Sequence, residues 1–169
     1  TLSGTTGAFG NLDYNKTAAF TDSIKNDIDI KGNFTMSGAG AVTLRSGTFT
    51  VNVGGNMIIT APNVYSPSYL WTGGYLVFNG TGAQTYSNAG TVNSVLMNNT
   101  GSGLTLSTNL LLSDHGTLTM TSGKITTGAF RVEVLNTAVS TASTGIITPT
   151  GTTSWVNGNL RKYLLAPSA

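Results

Sequence analysis

Residues 117–128 read Thr-Leu-Thr-Met-Thr-Ser-Gly-Lys-Ile-Thr-Thr-Gly, and this pattern decides the fold class of the chain. Apolar residues alternate with threonine until Ser122-Gly123 interrupts them, and the alternation resumes at Lys124-Ile125 and at Arg131–Val134. Alternation of this kind is typical of a half-buried β-strand, while Gly, Ser and Asn supply the backbone conformations that turns need. The stretch therefore predicts short strands joined by tight turns.

The same pattern recurs along most of the chain, with turn residues about every seven to nine positions. Only residues 16–24 offer a weak helical alternative. The remaining candidate strands cover residues 28–30, 33–36, 42–44, 48–53, 56–59, 75–78, 92–97, 104–106 and 109–112.

Two architectures bury strands of this kind, a parallel β-solenoid and an antiparallel β-sandwich. Sandwich hairpins favour Asn-Gly turns between strands of matched length, and the chain has these at Asn79-Gly80 and Asn157-Gly158. Most breaks are instead Ser-Gly, Gly-Gly or Thr-Gly between very short strands. Three strand-and-turn units together span about twenty residues, which lies within the range of stacked repeats. We predict an all-β, right-handed parallel β-solenoid, with the antiparallel sandwich as the alternative.

The composition agrees with stacked, uncharged strands. Only 8% of the 169 residues are charged, the formal net charge is +2, and cysteine is absent. In a parallel stack identical charges would lie above one another and repel, whereas Thr, Ser and Asn avoid that cost. The few cations form no basic stripe, which argues against nucleic-acid binding. No apolar run is long enough for a membrane span, so we expect no membrane insertion.

The predicted organisation has three parts. Residues 1–27 form an N-terminal cap or lead-in segment, residues 28–164 form the coils, and residues 165–169 form a tail or the start of a further block. Within the coils, residues 61–74 depart from the alternating pattern and contain Pro62 and Pro67. Because proline removes a ladder donor, we interpret this segment as a loop that leaves one coil.

A longer phrase of sequence carries a resemblance to a known class. It runs through Leu76-Val77-Phe78-Asn79-Gly80-Thr81-Gly82, Val95-Leu96-Met97-Asn98-Asn99 and residues 117–128, and it ends at Trp155-Val156-Asn157-Gly158-Asn159-Leu160-Arg161-Lys162. The phrase resembles the β-strand-repeat regions of very large secreted, adhesin-like bacterial surface proteins, many of them cargo of the type IX secretion route. The resemblance implies an extracellular, non-enzymatic segment of a longer polypeptide, acting as an adhesin, stalk or fibre element. It supplies no catalytic residues.

A second hypothesis is a carbohydrate- or surface-binding module. Tyr65, Tyr69, Trp71 and Tyr75 form the densest aromatic group in the chain, and aromatic rings combine apolar area with a polar tip. Surface glycans are the partners that this hypothesis implies. The structural hypothesis implies a different partner, because open solenoid ends favour self-association, end to end or side by side, into fibres.

Residues for catalysis or metal binding are sparse. His115 is the only histidine, and its position in Ser113-Asp114-His115-Gly116 is typical of a turn. Asp27 and Asp29 lie two apart on an extended segment, but a solvated strand near Lys25 and Lys31 is the simpler interpretation than calcium binding. Glu133 is the single glutamate, which leaves no paired carboxylates for glycoside hydrolysis. We predict no enzyme activity, cofactor or metal.

Overall fold

The computed structural model describes residues 8–66, 74–113, 116–135, 147–149 and 153–163, with backbone only for 147–149. These residues form a right-handed parallel β-solenoid, which confirms the predicted fold class. Every strand pairing in it is parallel, so the antiparallel sandwich is excluded. Within the described ranges no helix has the length and apolarity needed to cross a membrane.

The coils have three faces, each of which adds one strand per coil. The first face holds β1 (Ala8–Phe9), β4 (Ile28–Ile30), β7 (Val51–Val53), β10 (Tyr75–Phe78), β13 (Ser94–Asn98) and β17 (Ile147–Pro149). The second holds β2 (Leu12–Asp13), β5 (Phe34–Met36), β8 (Met57–Ile59), β11 (Ala83–Ser87) and β14 (Gly103–Leu106). The third holds β3 (Phe20–Ser23), β6 (Val42–Arg45), β9 (Val64–Ser66), β12 (Thr91–Val92) and β15 (Leu110–Leu112).

Two long strands pass around corners and so belong to more than one face. Strand β16 (Leu118–Val134) pairs in turn with β13, β14 and β15. Strand β18 (Ser154–Lys162) pairs with β16 along the second and third faces. Its corner lies at Gly158, whose φ of 123° falls in the region that favours glycine. A Cβ atom there would also lie 2.1 Å from the Thr127 hydroxyl oxygen.

Register partners keep the core in columns along the axis. Ile28 pairs with Val51, and Val95 pairs with Leu118, in each case 23 residues further along the chain. Because parallel partners point to the same side of the sheet, apolar residues stack on apolar residues inside the coil. Phe34, Met57, Phe78 and Val95 illustrate this, since each is fully buried. The predicted period of about twenty residues per coil is close to the observed spacing.

Residues 8–24 also belong to the stack. We predicted a cap or lead-in for residues 1–27, yet β1, β2 and β3 each pair in parallel with the strand of the next coil. The weak helical alternative at residues 16–24 is wrong, because Phe20–Ser23 is strand β3. Residues 1–7 lie outside the described ranges.

Candidate functional site

The aromatic group predicted as a binding platform is only partly described. Tyr69 and Trp71 lie outside the described residues. Tyr75 begins β10, and its side chain is 40% exposed. Tyr65 corrects the prediction, because it lies in β9 rather than in a loop and is only 2% exposed. Its ring packs edge-on against Phe34 at a centroid distance of 6.0 Å, so it is not available to an external ligand.

Burial also changes the acidity of the core tyrosines. Removal from water raises the pKa of Tyr65 to about 12, although a hydrogen bond with Ser46 acts in the opposite direction. Burial likewise raises the pKa of Tyr86, which packs edge-on against Phe78 at 6.0 Å. Both hydroxyls therefore remain protonated and neutral at neutral pH, and they act as core groups rather than as acid–base catalysts.

Asparagine side chains connect successive coils at one corner. The Oδ1 atom of Asn11 accepts the backbone N–H of Asn33 at 2.7 Å, and Oδ1 of Asn33 accepts that of Asn56 at 2.8 Å. Oδ1 of Asn56 continues the series by accepting the N–H of Thr85 at 2.8 Å. These bonds extend the backbone ladder through the turns, where strand pairing alone would leave donors without a partner.

A second set of side chains links successive coils along the third face. Asn88 Oδ1 accepts the Tyr65 N–H at 3.0 Å, and Asn88 Nδ2 donates to the Tyr65 carbonyl at 2.8 Å, so this amide takes the place of a paired strand. One coil earlier, Asn63 accepts from the Val42 N–H and donates to the Gly38 carbonyl. One coil later, the Thr108 hydroxyl bonds both the N–H and the carbonyl of Asn88.

Gln84 and Asn99 form a pair of buried amides. Gln84 occupies the inward column of Leu104 and Ile125 and is 1% exposed. Its Nε2 donates to the carbonyls of Val53 at 2.9 Å and Gly55 at 2.6 Å. Its Oε1 accepts from the Gly80 N–H at 3.1 Å and from Asn99 Nδ2 at 2.8 Å.

The side-chain amide of Asn99 likewise has a hydrogen-bond partner for each donor and acceptor. Its Nδ2 also donates to the Gly82 carbonyl at 2.8 Å, and its Oδ1 accepts the N–H groups of Gly101 at 2.8 Å and Gly103 at 3.0 Å. Every donor and acceptor of the two amides thus has a partner. Neutral amides have no proton to transfer at ordinary pH, so this cluster holds three coils together rather than doing chemistry.

Glu133, the single glutamate, lies on the third face among cations. Its carboxylate accepts from Arg131 Nε at 2.5 Å and lies 3.5 Å from Arg161 Nη1, and its side chain is 4% exposed. Burial alone would raise its pKa, but hydrogen bonds from Arg131 and Tyr163 and the charges of Arg131 and Arg161 lower it below the usual value. A carboxylate held in its ionised form cannot serve as a general acid at neutral pH.

The other predicted polar residues give no catalytic or metal site in the described ranges. Asp27 accepts the Thr50 N–H at 2.8 Å, and Asp29 forms an ion pair with Lys31 at 2.5 Å. Across the part of the chain that the structure describes, no three His, Asp or Glu side chains are grouped closely enough to hold a metal ion. His115 and Asp114 lie outside the described residues.

The sequence analysis missed the corner amides, although their spacing was visible. Asn11, Asn33 and Asn56 lie 22 and 23 residues apart, the same interval as one coil. Gln84 carries no such signal, because it is the single glutamine of the sequence and meets Asn99 only in the folded chain. Comparisons of this chain with protein-family models, curated proteins and solved structures returned no match.

Proposed function

We propose that this chain is a structural segment of a large extracellular bacterial surface protein, where it acts as a stiff spacer, stalk or fibre element without catalytic activity. The observation that supports this proposal is the continuity of its columns. Strands on the first and second faces keep register from coil to coil. The third face does so up to β9, where the Asn88 amide bonds Tyr65 in place of a paired strand, and the corner asparagines continue the hydrogen bonds between strands. A column with this bonding sets a fixed length per coil, about 4.8 Å.

The surface chemistry supports the extracellular part of the proposal. A chain with 8% charged residues presents hydroxyl and amide groups instead of ions. The resemblance of its sequence phrases to secreted adhesin-like proteins points the same way. The described polar clusters hold coils together, and none of them combines a nucleophile with a base.

Spin-label distances test the spacer function directly, since the chain has no cysteine of its own. Asp29, Asn52, Val77, Leu96 and Thr119 form one outward column, four intervals long. Labels at Asp29→Cys and Thr119→Cys should therefore give a narrow distance distribution centred near the Cα separation of about 19 Å. A broad distribution would contradict a stiff spacer. Labels at Asn52→Cys and Thr119→Cys serve as the shorter matched pair.

A second candidate is a glycan- or surface-binding module, favoured by one observation, the exposure of the Tyr75 ring at the start of β10. Tyr69 and Trp71 would complete its binding surface. Retention on a glycan array that is lost in Tyr75→Ala and in Trp71→Ala, but kept in Tyr163→Ala, would support this function. Absence of binding by the unmodified protein would argue against it.

A further inference from the structure

The corner between β10 and β11 contains the sequence Asn79-Gly80. A glycine is required there, because a Cβ atom on residue 80 would lie 2.4 Å from the Gly54 carbonyl oxygen of the preceding coil. Asn79 is exposed, whereas Gly80 is buried. Glycine places no side chain beside the asparagine and leaves the backbone free to rotate, so Asn-Gly is the pair at which an asparagine cyclises most readily.

Cyclisation at this corner would change the main chain covalently. A base from solvent removes the proton of the Gly80 N–H, and the nitrogen then forms a bond to Cγ of Asn79. The side-chain nitrogen takes up a proton and leaves as ammonia. Water opens the resulting succinimide at either carbonyl carbon, which yields aspartate or isoaspartate. Isoaspartate adds one methylene group to the main chain and would therefore shift the corner against the neighbouring coils.

Three hydrogen bonds hold Asn79 and Gly80 in the backbone ladder. The Asn79 N–H donates to the Val53 carbonyl of the preceding coil at 3.2 Å, and the Gly80 carbonyl accepts from the Thr100 N–H of the following coil at 3.1 Å. The Gly80 N–H itself donates to Oε1 of Gln84 at 3.1 Å. The nitrogen that would attack is thus bonded to a buried amide, and the peptide groups around it are fixed to the coils on both sides.

The Gln84 side chain is itself held in place. Its Nε2 donates to the carbonyls of Val53 and Gly55, its Oε1 also accepts from Asn99, and it is 1% exposed. The Gly80 nitrogen can reach Asn79 only when this cluster opens. A reaction that needs local opening slows in proportion to the time the closed state is populated, so these hydrogen bonds should protect the corner.

We propose that Asn79-Gly80 is a latent modification site, at which Asn79 cyclises and becomes aspartate or isoaspartate when the corner opens, and that Gln84 is the residue that keeps the site closed. This gives a reason for a glutamine in the otherwise apolar column of Leu104 and Ile125. The packing of the coils requires Gly80, and the amide of Gln84 protects the reactive pair that Gly80 creates. The inference does not depend on the proposed spacer function.

Peptide mapping by mass spectrometry, after incubation at mildly alkaline pH, measures the conversion of Asn79. The unmodified folded chain should convert at least about tenfold more slowly than the same chain unfolded in guanidinium chloride. Gln84→Leu should raise the rate in the folded chain at least about fivefold, because leucine fits the apolar column but leaves the Gly80 N–H without its acceptor. Gln84→Met replaces it if Gln84→Leu impairs folding by circular dichroism.

Asn99→Ala is the matched control, because it weakens the same cluster but leaves Gln84 Oε1 available to the Gly80 N–H. Its conversion rate at Asn79 should stay much closer to that of the unmodified chain than to that of Gln84→Leu. Asn79→Ala removes the reacting side chain and assigns the signal. A folded chain that converts as fast as the unfolded one would overturn the proposal. So would an unchanged rate in the folded Gln84 variant, or equal rates in that variant and in Asn99→Ala.

Discussion

Buried amides at a few positions carry much of the connection between coils. Gln84 stands where an apolar side chain would otherwise continue the core, and its hydrogen bonds, one of them from the buried Asn99, make this substitution tolerable. The chain gains a link that ties backbone groups of three coils to two side chains. Each amide therefore depends on the other, because the loss of one removes a hydrogen bond from the other.

Asn99→Ala tests this dependence. The substitution leaves the N–H groups of Gly101 and Gly103, the Gly82 carbonyl and Gln84 Oε1 without their present partner. Gly82 and Gly101 are exposed, so water can replace Asn99 there, and Gln84 Oε1 keeps the Gly80 N–H, whereas the Gly103 N–H is buried. Because a buried unpaired group costs about 1–3 kcal/mol, we expect the free energy of unfolding to fall by about that amount. Urea denaturation measures the change, and Thr105→Ala on the exposed side of β14 is the control. A loss no larger than that of the control would refute the structural role of the cluster.

The lowered pKa of Glu133 predicts how the stability of the fold depends on pH. Its folded-state pKa lies below the ordinary value of 4.5, because Arg131, Tyr163 and Arg161 outweigh its burial. The ionised carboxylate therefore stabilises the fold at pH values above 4.5, and this contribution is lost as the pH falls through the folded-state pKa. Unfolding measured at about pH 7 and about pH 3 should show a larger acid-induced loss in the unmodified protein than in Glu133→Gln. Equal losses would show that the ion pairs contribute little.

Residue identity alone predicted correctly whether some side chains face the core, and it gave the wrong answer for others. Thr119 between Leu118 and Met120 is only partly buried while its neighbours face the core, as alternation requires. Tyr65 follows Pro62 and precedes Pro67, which suggested an exposed loop, yet alternation within Val64-Tyr65-Ser66 places its ring inside. The interaction between Gln84 and Asn99 could not be predicted, because it depends on corner geometry that brings residues 15 positions apart into contact.

At the level of strands, length decided what the sequence could predict. Strands of three residues with two inward positions, such as Val51–Val53, were recognisable by alternation and are confirmed. Ala8–Phe9 and Leu12–Asp13 have two residues each, too few for any period to appear, and so both strands fell within the predicted cap or lead-in of residues 1–27. Their position in the stack follows from pairing with the next coil, which is a tertiary effect.

Few strand residues are charged, and we predict that charges placed at register partners of neighbouring coils would interact. Thr85 and Thr105 are register partners on β11 and β14. Lysine at both positions should destabilise the protein by about 0.2–1 kcal/mol more than the sum of the single changes, because the like charges lie one coil apart. The double variant that combines Thr85→Lys with Thr105→Glu should show coupling of the opposite sign. Urea denaturation of the full double-mutant cycle measures both, and coupling of the same sign in the two cycles would contradict the explanation.

On the scale of the whole molecule, the solenoid is a set of columns that repeat at intervals of about one coil. Its stability should then depend mainly on contacts between neighbouring coils, as in other repeat proteins. Asn11, Asn33 and Asn56 occupy equivalent positions, and so do Leu12, Phe34 and Met57. The second coil can therefore be removed without breaking the order of any column.

Deletion of residues 28–50 tests this view of the molecule. It joins Asp27 to Val51, so that β7, β8 and β9 should pair with β1, β2 and β3, and Asn11 Oδ1 should accept the N–H of Asn56. We expect a folded β protein whose long dimension in small-angle scattering is shorter by about 5 Å, the rise of one coil. Deletion of residues 28–38 is the matched control, because it removes about half a coil and sets the first face against the second. If the two deletions behave alike, the columns do not determine the fold, and both the spacing per coil and the stiffness attributed to it would have to be abandoned.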